Sequence, residues 1–219
     1  MQESPGKNKQ RWVDFIKSFE ERGGENVRKI DDAIKPAVFG FNTLGIPTHG
    51  SCEGHLDHGQ GFPYITFGHP PQVRFNREKE TFQRIADKYG LPVEDVEKGL
   101  HHQATGEAFR ESEKNGETPE YIAWREEPKK LLAKLEAILE EFYRTHSAPP
   151  DLRLIIELED AGTLRLRSRG TESGIKPDSP NPSDLTEDQK KERLSRLRQY
   201  RSEIDTLAAF LKNKFLDIP

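Results

Sequence analysis

The stretch "DLRLIIELEDAGTLRLRSRG", residues 151–170, carries the period-two hydrophobic pattern of a β-hairpin. Apolar residues alternate with mostly charged ones on both sides of a short turn at 160–162. Because successive side chains of a strand point to opposite faces, this alternation predicts two strands that are each buried on one face. The apolar positions are Leu152, Leu154, Ile156, Leu158, Leu164 and Leu166. We therefore expect antiparallel strands at 152–158 and 163–168.

Two further short strands are expected in the N-terminal half of the chain. "IPTHGSC" (46–52) and "FPYITFGH" (62–69) flank a glycine-rich loop and read as a strand pair. A lone hairpin is marginally stable in water, so the two pairs are expected to join in one sheet. The sequence therefore predicts a small antiparallel sheet from 46–52, 63–68, 152–158 and 163–168.

Much of the remaining chain has the hydrophobic spacing of amphipathic helices. Helices are predicted within 11–45, and two long charged helices are predicted at 119–146 and 186–216. Thr186 and Gln189 form a capping-box pattern at the start of the last helix. Both long helices have narrow apolar stripes on charged backgrounds, which favours their pairing as an antiparallel hairpin.

The fold class predicted from these patterns is α+β. A small antiparallel sheet packs on the N-terminal helices, and a long charged helical hairpin that includes the C-terminal helix extends from it or lies across it. The chain of 219 residues is expected to form a single domain, 1–219. The polar start at 1–8 and the Pro/Ser/Gly-rich segment 170–184 are predicted to be flexible.

The composition excludes several classes of protein. A net charge of −4 argues against general nucleic-acid binding, and no apolar run approaches the roughly 18 residues of a membrane span. The single cysteine cannot form an internal disulfide, and the N-terminus lacks the apolar core of a secretion signal, so the cytoplasm is the expected location. The partner is an unidentified small molecule or protein, and a homodimer through the long helices stays open.

The loop "THGSCEGHLDHGQGF", residues 48–62, holds the only cysteine and three of the seven histidines. A fourth histidine, His69, follows closely. Cysteine and histidine are the residues best suited to binding a borderline-soft metal ion and to transferring protons near neutral pH. Their gathering in one glycine-rich loop predicts a functional site there.

A metal site is the first interpretation of this loop. Cys52, His55 and His58 would be ligands, with His49 or His69 as a fourth. Thiolate and imidazole ligands suit zinc or another divalent ion. Because the chain has no second cysteine, such a site would resemble a catalytic one, with three protein ligands and an open position.

Three other interpretations remain open, so the sequence does not decide whether the protein is an enzyme. Cys52 could be a nucleophile, with His55 or His49 as base, Glu53 as acid/base or orienting carboxylate, and backbone N–H groups near Gly54 as an oxyanion hole. The loop glycines could instead admit a small ligand close to the backbone. In the third, the loop only stiffens the sheet of a non-enzymatic protein-interaction module.

Two resemblances cover this region. The segment from "DDAIKP" (31–36) through the S-C-E-G-H motif resembles a group of uncharacterised bacterial proteins with no assigned activity. A shorter part is similar to the methyltransferase family of tRNA wybutosine synthesis, in which a T-x-S-S-C-S-G-R strand follows an asparagine-bearing helix. That second resemblance implies S-adenosylmethionine as the cofactor and tRNA as the substrate. It also implies ligand-binding roles for Asn42, Ser51 and Gly54. The matching residues are Asn42, Thr48, Ser51, Cys52 and Gly54, with Glu53 and His55 as departures.

Overall fold

The chain is described by a computed structural model over residues 5–56, 61–68, 72–116, 119–124, 126–159, 162–171 and 185–217. The predicted α+β class is confirmed, because the described residues combine helices with one small four-stranded antiparallel sheet. In chain order the elements are α1 (Pro5–Arg28), α2 (Lys35–Thr43), β1 (Thr48–Cys52), β2 (Tyr64–Phe67), α3 (Gln72–Tyr89), α4 (Val93–Glu97), α5 (His102–Gly116), α6 (Pro119–Trp124), α7 (Glu127–Thr145), β3 (Leu154–Leu158), β4 (Leu164–Ser168) and α8 (Glu187–Leu216).

Two compact units can be distinguished in the chain. The first consists of Met1–Gly68, Leu131–Glu159 and Thr163–Pro219, and the second of His69–Lys130 and Asp160–Gly162. Each unit has its own cluster of buried apolar side chains. The prediction of a single domain, 1–219, stays a prediction, since a compact unit is not by itself an independently folding domain.

The sheet has the strand order β1-β2-β4-β3, with all neighbours antiparallel. These strands lie within the four predicted segments, so the alternation pattern identified the sheet correctly. One face is apolar: the side chains of Ile65, Phe67, Leu164 and Leu166 are fully buried. Residues paired directly across strands share a face, so Cys52 lies beside Tyr64 on the opposite, more polar face.

The core of the first unit lies between the apolar face of the sheet and helices α2, α7 and α8. Helix α8 packs closely on α2 because Gly40 has no side chain. A Cβ atom at Gly40 would lie 2.7 Å from Cβ of Leu211, which is closer than packed side chains allow. The absence of a side chain at Gly40 therefore sets how near the C-terminal helix comes to the rest of the unit.

Helices α7 and α8 run antiparallel where they meet, as predicted for the helical hairpin. Lys214 forms an ion pair with Glu141, whereas Tyr143, further along α7, hydrogen-bonds to Glu203, which is earlier in α8. The predicted helix 119–146 is divided into two helices, α6 and α7, near Pro128, where the sequence favours a break or a helix start. Proline fits the first turn of a helix, and Pro128 occupies that place in α7.

The predicted flexible segments are only partly described. Helix α1 begins at Pro5, and the predicted flexibility of 1–8 stays a prediction. Residues 1–4 and 172–184 lie outside the described residues. Within α1, Gly24 is non-helical (φ 50°, ψ −127°), so the helix is kinked there.

The second unit is helical in its described residues. Its buried side chains come from α3, α4 and α5, and ion pairs such as Lys88–Glu107 lie on its surface. The buried residues are Phe82, Ile85, Ala86, Val96, Ala104 and Ala108. Across both units, no helix in the described ranges has the length and hydropathy needed to cross a membrane.

A buried carboxylate ties α7 to α8. Glu203 is only 6 % exposed; its Oε1 accepts a hydrogen bond from the Tyr143 hydroxyl at 2.7 Å, and its Oε2 lies 3.0 Å from His146 Nε2. The Tyr143 oxygen also accepts the backbone N–H of Leu154 at 2.6 Å. Burial and the nearby Glu203 raise the pKa of Tyr143, so the phenol stays protonated and donates. Helices α7 and α8 and strand β3 are thus joined at one point.

We predict that Tyr143→Phe destabilises the protein by about 1–3 kcal/mol, because a buried carboxylate oxygen and a buried N–H each lose a partner. Chemical denaturation measures the change. The control is Tyr89→Phe, whose hydroxyl bonds to a carboxylate, Glu107, that is also held by Lys88. Its effect should be within about 0.5 kcal/mol. Equal stability of Tyr143→Phe and the wild type would contradict the prediction.

Candidate metal site

The loop that follows β1 turns sharply at Gly54. Cys52 is the last residue of β1, and Gly54 has the left-handed conformation (φ 81°) that side chains disfavour. A Cβ atom at Gly54 would lie 2.6 Å from the carbonyl carbon of Phe62 and 2.8 Å from Leu197 Cδ1. Only glycine fits this position, and the turn brings His55 back toward the end of the strand.

Asp31, in the connection between α1 and α2, reaches this loop. Its Oδ2 atom accepts the backbone N–H of Glu53 at 3.0 Å and lies 3.2 Å from His55 Nε2. Ligand atoms of Asp31, Cys52 and His55 all lie within 4.8 Å of one another. Among the described residues these three form a group that could hold a metal ion. The side chains of Asp31 and His55 are 31 % and 22 % exposed, so the group is open to solvent.

The surroundings of Cys52 keep its thiol protonated in the absence of a cation. Burial raises its pKa, and the negative charges of Asp31 and Glu53 act in the same direction. The N–H of Gly54, which donates to Cys52 Sγ at 3.3 Å, opposes this shift but does not reverse it. A nucleophilic cysteine needs the thiolate, so this environment disfavours the nucleophile interpretation.

Asp31 has the opposite shift. Burial acts to raise its pKa, but the hydrogen bond from Glu53 N–H and the contact with His55 outweigh that effect and lower it. The carboxylate is therefore ionised near neutral pH. In a cysteine–histidine–carboxylate triad the imidazole lies between the other two groups. Here the carboxylate of Asp31 contacts the imidazole and also raises the pKa of the Cys52 thiol. This arrangement resembles a set of metal ligands more than a catalytic triad.

Glu53 contacts neither Cys52 nor His55 through its carboxylate in the hydrogen bonds of the structure. Its Oε1 accepts from Arg201 Nη2 at 2.8 Å, and its Oε2 accepts from the backbone N–H of Ala33 at 3.0 Å. Both oxygens are thus used to hold the loop. The predicted role of Glu53 as catalytic acid/base stays a prediction, and its contacts favour a structural role.

The other predicted site residues have separate positions. The side-chain NH₂ of Asn42 donates to Val38 O at 2.8 Å and to Thr48 Oγ1 at 2.9 Å, which links α2 to the start of β1. Ser51 adjoins Cys52 in β1 and so points to the other face of the sheet. The ligand-binding roles of Asn42, Ser51 and Gly54 stay predictions.

Of the other predicted histidines, His49 alone lies within the described residues. His49 lies exposed in β1 and is not among the three residues whose ligand atoms converge. His58 and His69 lie outside the described residues. The predicted pair Cys52 and His55 is thus brought together, with Asp31 beside it, and the role of His49 as a ligand stays a prediction.

Tyr64 borders the site on the polar face of the sheet. It pairs directly with Cys52, and the guanidinium of Arg165 lies 4.7 Å from the centre of its ring. Burial is the largest cause that raises the pKa of Tyr64, and the charge of Cys52 is the second. The Tyr64 hydroxyl is therefore protonated near neutral pH. A protonated phenol beside the cluster can donate a hydrogen bond to a bound molecule.

Two contributors were absent from the sequence prediction, Asp31 and Arg201. Asp31 lies before α2, whereas Cys52 ends β1, the element that follows α2. Arg201 lies in α8, near the opposite end of the chain. Neither stands in a motif with the cysteine-histidine loop. The one available signal was chemical: a three-ligand zinc site commonly combines histidine with a carboxylate, and the adjacent Asp31-Asp32 precedes the helix that leads into β1.

Comparisons with known proteins give no family for this chain. No family model, no curated protein and no solved structure matches it. The two resemblances noted in the sequence therefore stay predictions. The functional argument rests on the geometry of Asp31, Cys52 and His55.

We predict that Gly54→Ala destabilises the protein by at least about 2 kcal/mol, because the new methyl group meets backbone and the φ angle is strained. The matched control is Gly99→Ala, at a glycine with φ 75° around which a Cβ would meet nothing within 4 Å. Thermal unfolding measures both. The larger loss should belong to Gly54→Ala, and the reverse order would contradict this account of the turn.

We also predict that Cys52 in metal-free protein is alkylated slowly near pH 7, with an apparent pKa above the ordinary ~8.5. The pH–rate profile of iodoacetamide alkylation measures it. Asp31→Asn removes a negative charge that favours the protonated thiol, so the apparent pKa should fall relative to the wild type. An apparent pKa well below 8.5 in the wild type would instead restore the nucleophile interpretation.

Proposed function

We propose that this protein binds a divalent metal ion, with zinc the best fit, through Asp31, Cys52 and His55. The observation that carries the proposal is the convergence of a carboxylate, a sulfur and an imidazole nitrogen within 4.8 Å of one another. This set combines the three ligand types that zinc uses in proteins. The predicted cysteine-histidine pair is kept, and Asp31 supplies the third ligand.

The spacing of the three groups suits such an ion after a small adjustment. Ligand atoms about 2.0–2.3 Å from a tetrahedral zinc ion lie roughly 3.5 Å apart. Asp31 Oδ2 and His55 Nε2 are already 3.2 Å apart, and the other separations, all within 4.8 Å, exceed 3.5 Å by about 1.3 Å at most. Side-chain rotation of the part-exposed Asp31 and His55 can supply a movement of that size.

The charge of the site also favours a cation. Asp31 is ionised, Glu53 adds a second carboxylate nearby, and both oppose ionisation of the Cys52 thiol. A divalent ion would offset this negative potential and allow the thiolate to form, so its binding should release a proton. The same contacts that disfavour a free thiolate therefore favour a metal-bound one.

The number of protein ligands decides what the ion can do. Three ligands leave one position for water or a substrate, which is the arrangement of catalytic zinc sites. The sequence predicts His58 as a further ligand, and a fourth protein ligand would give the closed arrangement of a structural site. Tyr64, beside Cys52, is placed to contact a molecule held at an open position.

Elemental analysis of protein purified without a metal-affinity tag tests the proposal. We expect about one zinc ion per chain after zinc supplementation. Cys52→Ser, His55→Ala and Asp31→Asn should each lower occupancy strongly, because each removes one of only three ligands. His49→Ala should keep the wild-type occupancy, since His49 lies outside the converging group. A stoichiometry well below one after supplementation would refute the metal site.

The variant His58→Ala then separates the two kinds of site. Unchanged affinity indicates the open, catalytic type, and a strong loss indicates a closed site in which His58 is a fourth protein ligand. Folding of each variant is checked by circular dichroism. If no variant or condition yields bound metal, the structural interpretation remains. In it, the hydrogen bonds of Asp31 only fix the loop.

A further inference from the structure

One arginine reaches the candidate metal site from the C-terminal helix. Arg201 of α8 donates through Nε to the backbone carbonyl of Glu53 at 2.9 Å and through Nη2 to the carbonyl of Gly54 at 2.6 Å. The same Nη2 donates to Glu53 Oε1 at 2.8 Å. Both carbonyls belong to the two residues between the candidate ligands Cys52 and His55.

We propose that Arg201 is the positioning residue of the metal site, which fixes the backbone between Cys52 and His55 so that both side chains face Asp31. This inference rests on the proposed metal-binding function. Arg201 donates to the backbone of the loop and to Glu53, and none of these hydrogen bonds goes to the three ligand side chains, so it acts through the loop. Groups of this kind around a metal site orient the ligands and change the affinity.

The contacts of Glu53 extend this arrangement to the third ligand. The carboxylate that accepts from Arg201 also accepts the N–H of Ala33, two residues after Asp31. The backbone N–H of Glu53 donates to Asp31 itself. The loop and the segment that carries Asp31 are therefore held together at Glu53, and Arg201 holds Glu53.

Arginine suits this task because its planar group presents several donors in fixed directions. Lysine carries the same charge but lacks the fork that meets two carbonyls and a carboxylate at once. The neighbourhood is also tightly packed. Ile34, Pro63 and Ile204 pack beside the Arg201–Glu53 pair and leave no room that even a water molecule could fill, so the pair holds the loop rather than a substrate.

Electrostatics and positioning predict opposite effects of removing Arg201. A positive charge near a cation site weakens binding, so loss of the charge alone would strengthen metal binding. Loss of positioning lets the loop move and weakens metal binding, by about 10–100-fold for groups that support metal ligands. The sign of the change therefore distinguishes the two effects.

The experiment measures zinc affinity of the full chain by competition with a chromophoric chelator. The variants are Arg201→Ala, Arg201→Lys and the control Arg198→Ala, which removes an exposed arginine from the same helix. We expect about 10–100-fold weaker binding for Arg201→Ala, a smaller loss for Arg201→Lys, and affinity within about threefold of the wild type for Arg198→Ala. Bound cobalt(II) reports ligand geometry, so its visible spectrum should change in Arg201→Ala and stay unchanged in Arg198→Ala.

The failure of this inference is distinct from that of the metal site. Absence of metal from the wild type refutes the proposed function and the inference with it. Binding to the wild type with equal or tighter binding to Arg201→Ala overturns the positioning role and leaves the site intact. Thermal unfolding of the metal-free variants checks the fold. If Arg201→Ala does not fold, Arg201→Lys decides: weaker binding supports the role, and wild-type affinity overturns it.

Discussion

The close contact of α8 with α2 at Gly40 and Leu211 determines where the C-terminal helix lies in the first unit. Because α2 leads directly into β1, that contact also sets the distance between α8 and the loop after Cys52. Two polar connections depend on it. Glu203 meets Tyr143 and His146 of the α7 end, and Arg201, two residues earlier, meets the backbone of the loop. The apolar contact between Leu211 and Gly40, which has no side chain, thus determines where the polar groups of the candidate site lie.

The sheet was predictable from sequence because alternation is a local property. The hairpin at 151–170 showed it directly, and the Thr186–Gln189 capping box marked the start of α8, where the structure has both of its hydrogen bonds. Proline position likewise favours a helix start near Pro128, and the structure begins α7 at Glu127. These features depend on a few adjacent residues, so they can be read without knowing the tertiary structure.

The site was only half predictable, because its members come from distant parts of the chain. Composition pointed to Cys52 and His55, which are close in sequence. Asp31 could not be found by spacing, since its approach depends on how α1 and α2 lie against the sheet. Its effect on Cys52 was likewise hidden: the sequence allows a reactive thiolate, whereas burial and two carboxylates raise the pKa of the thiol. Chemistry at this loop is therefore decided by groups outside it.

The central ladder of the sheet has a consequence for the order of folding. Strand β2 pairs with β4 through residues such as Ile65 and Leu166, about one hundred positions apart, with most of the second unit between them. Closing so long a loop has a large entropic cost, whereas the β3–β4 hairpin and the helices of the second unit need only local contacts. We therefore expect hairpin and helices to form early. The candidate ligands Asp31, Cys52 and His55 lie close together in the chain, whereas Arg201 comes from α8, so docking of Arg201 on the loop would report completion of the native state.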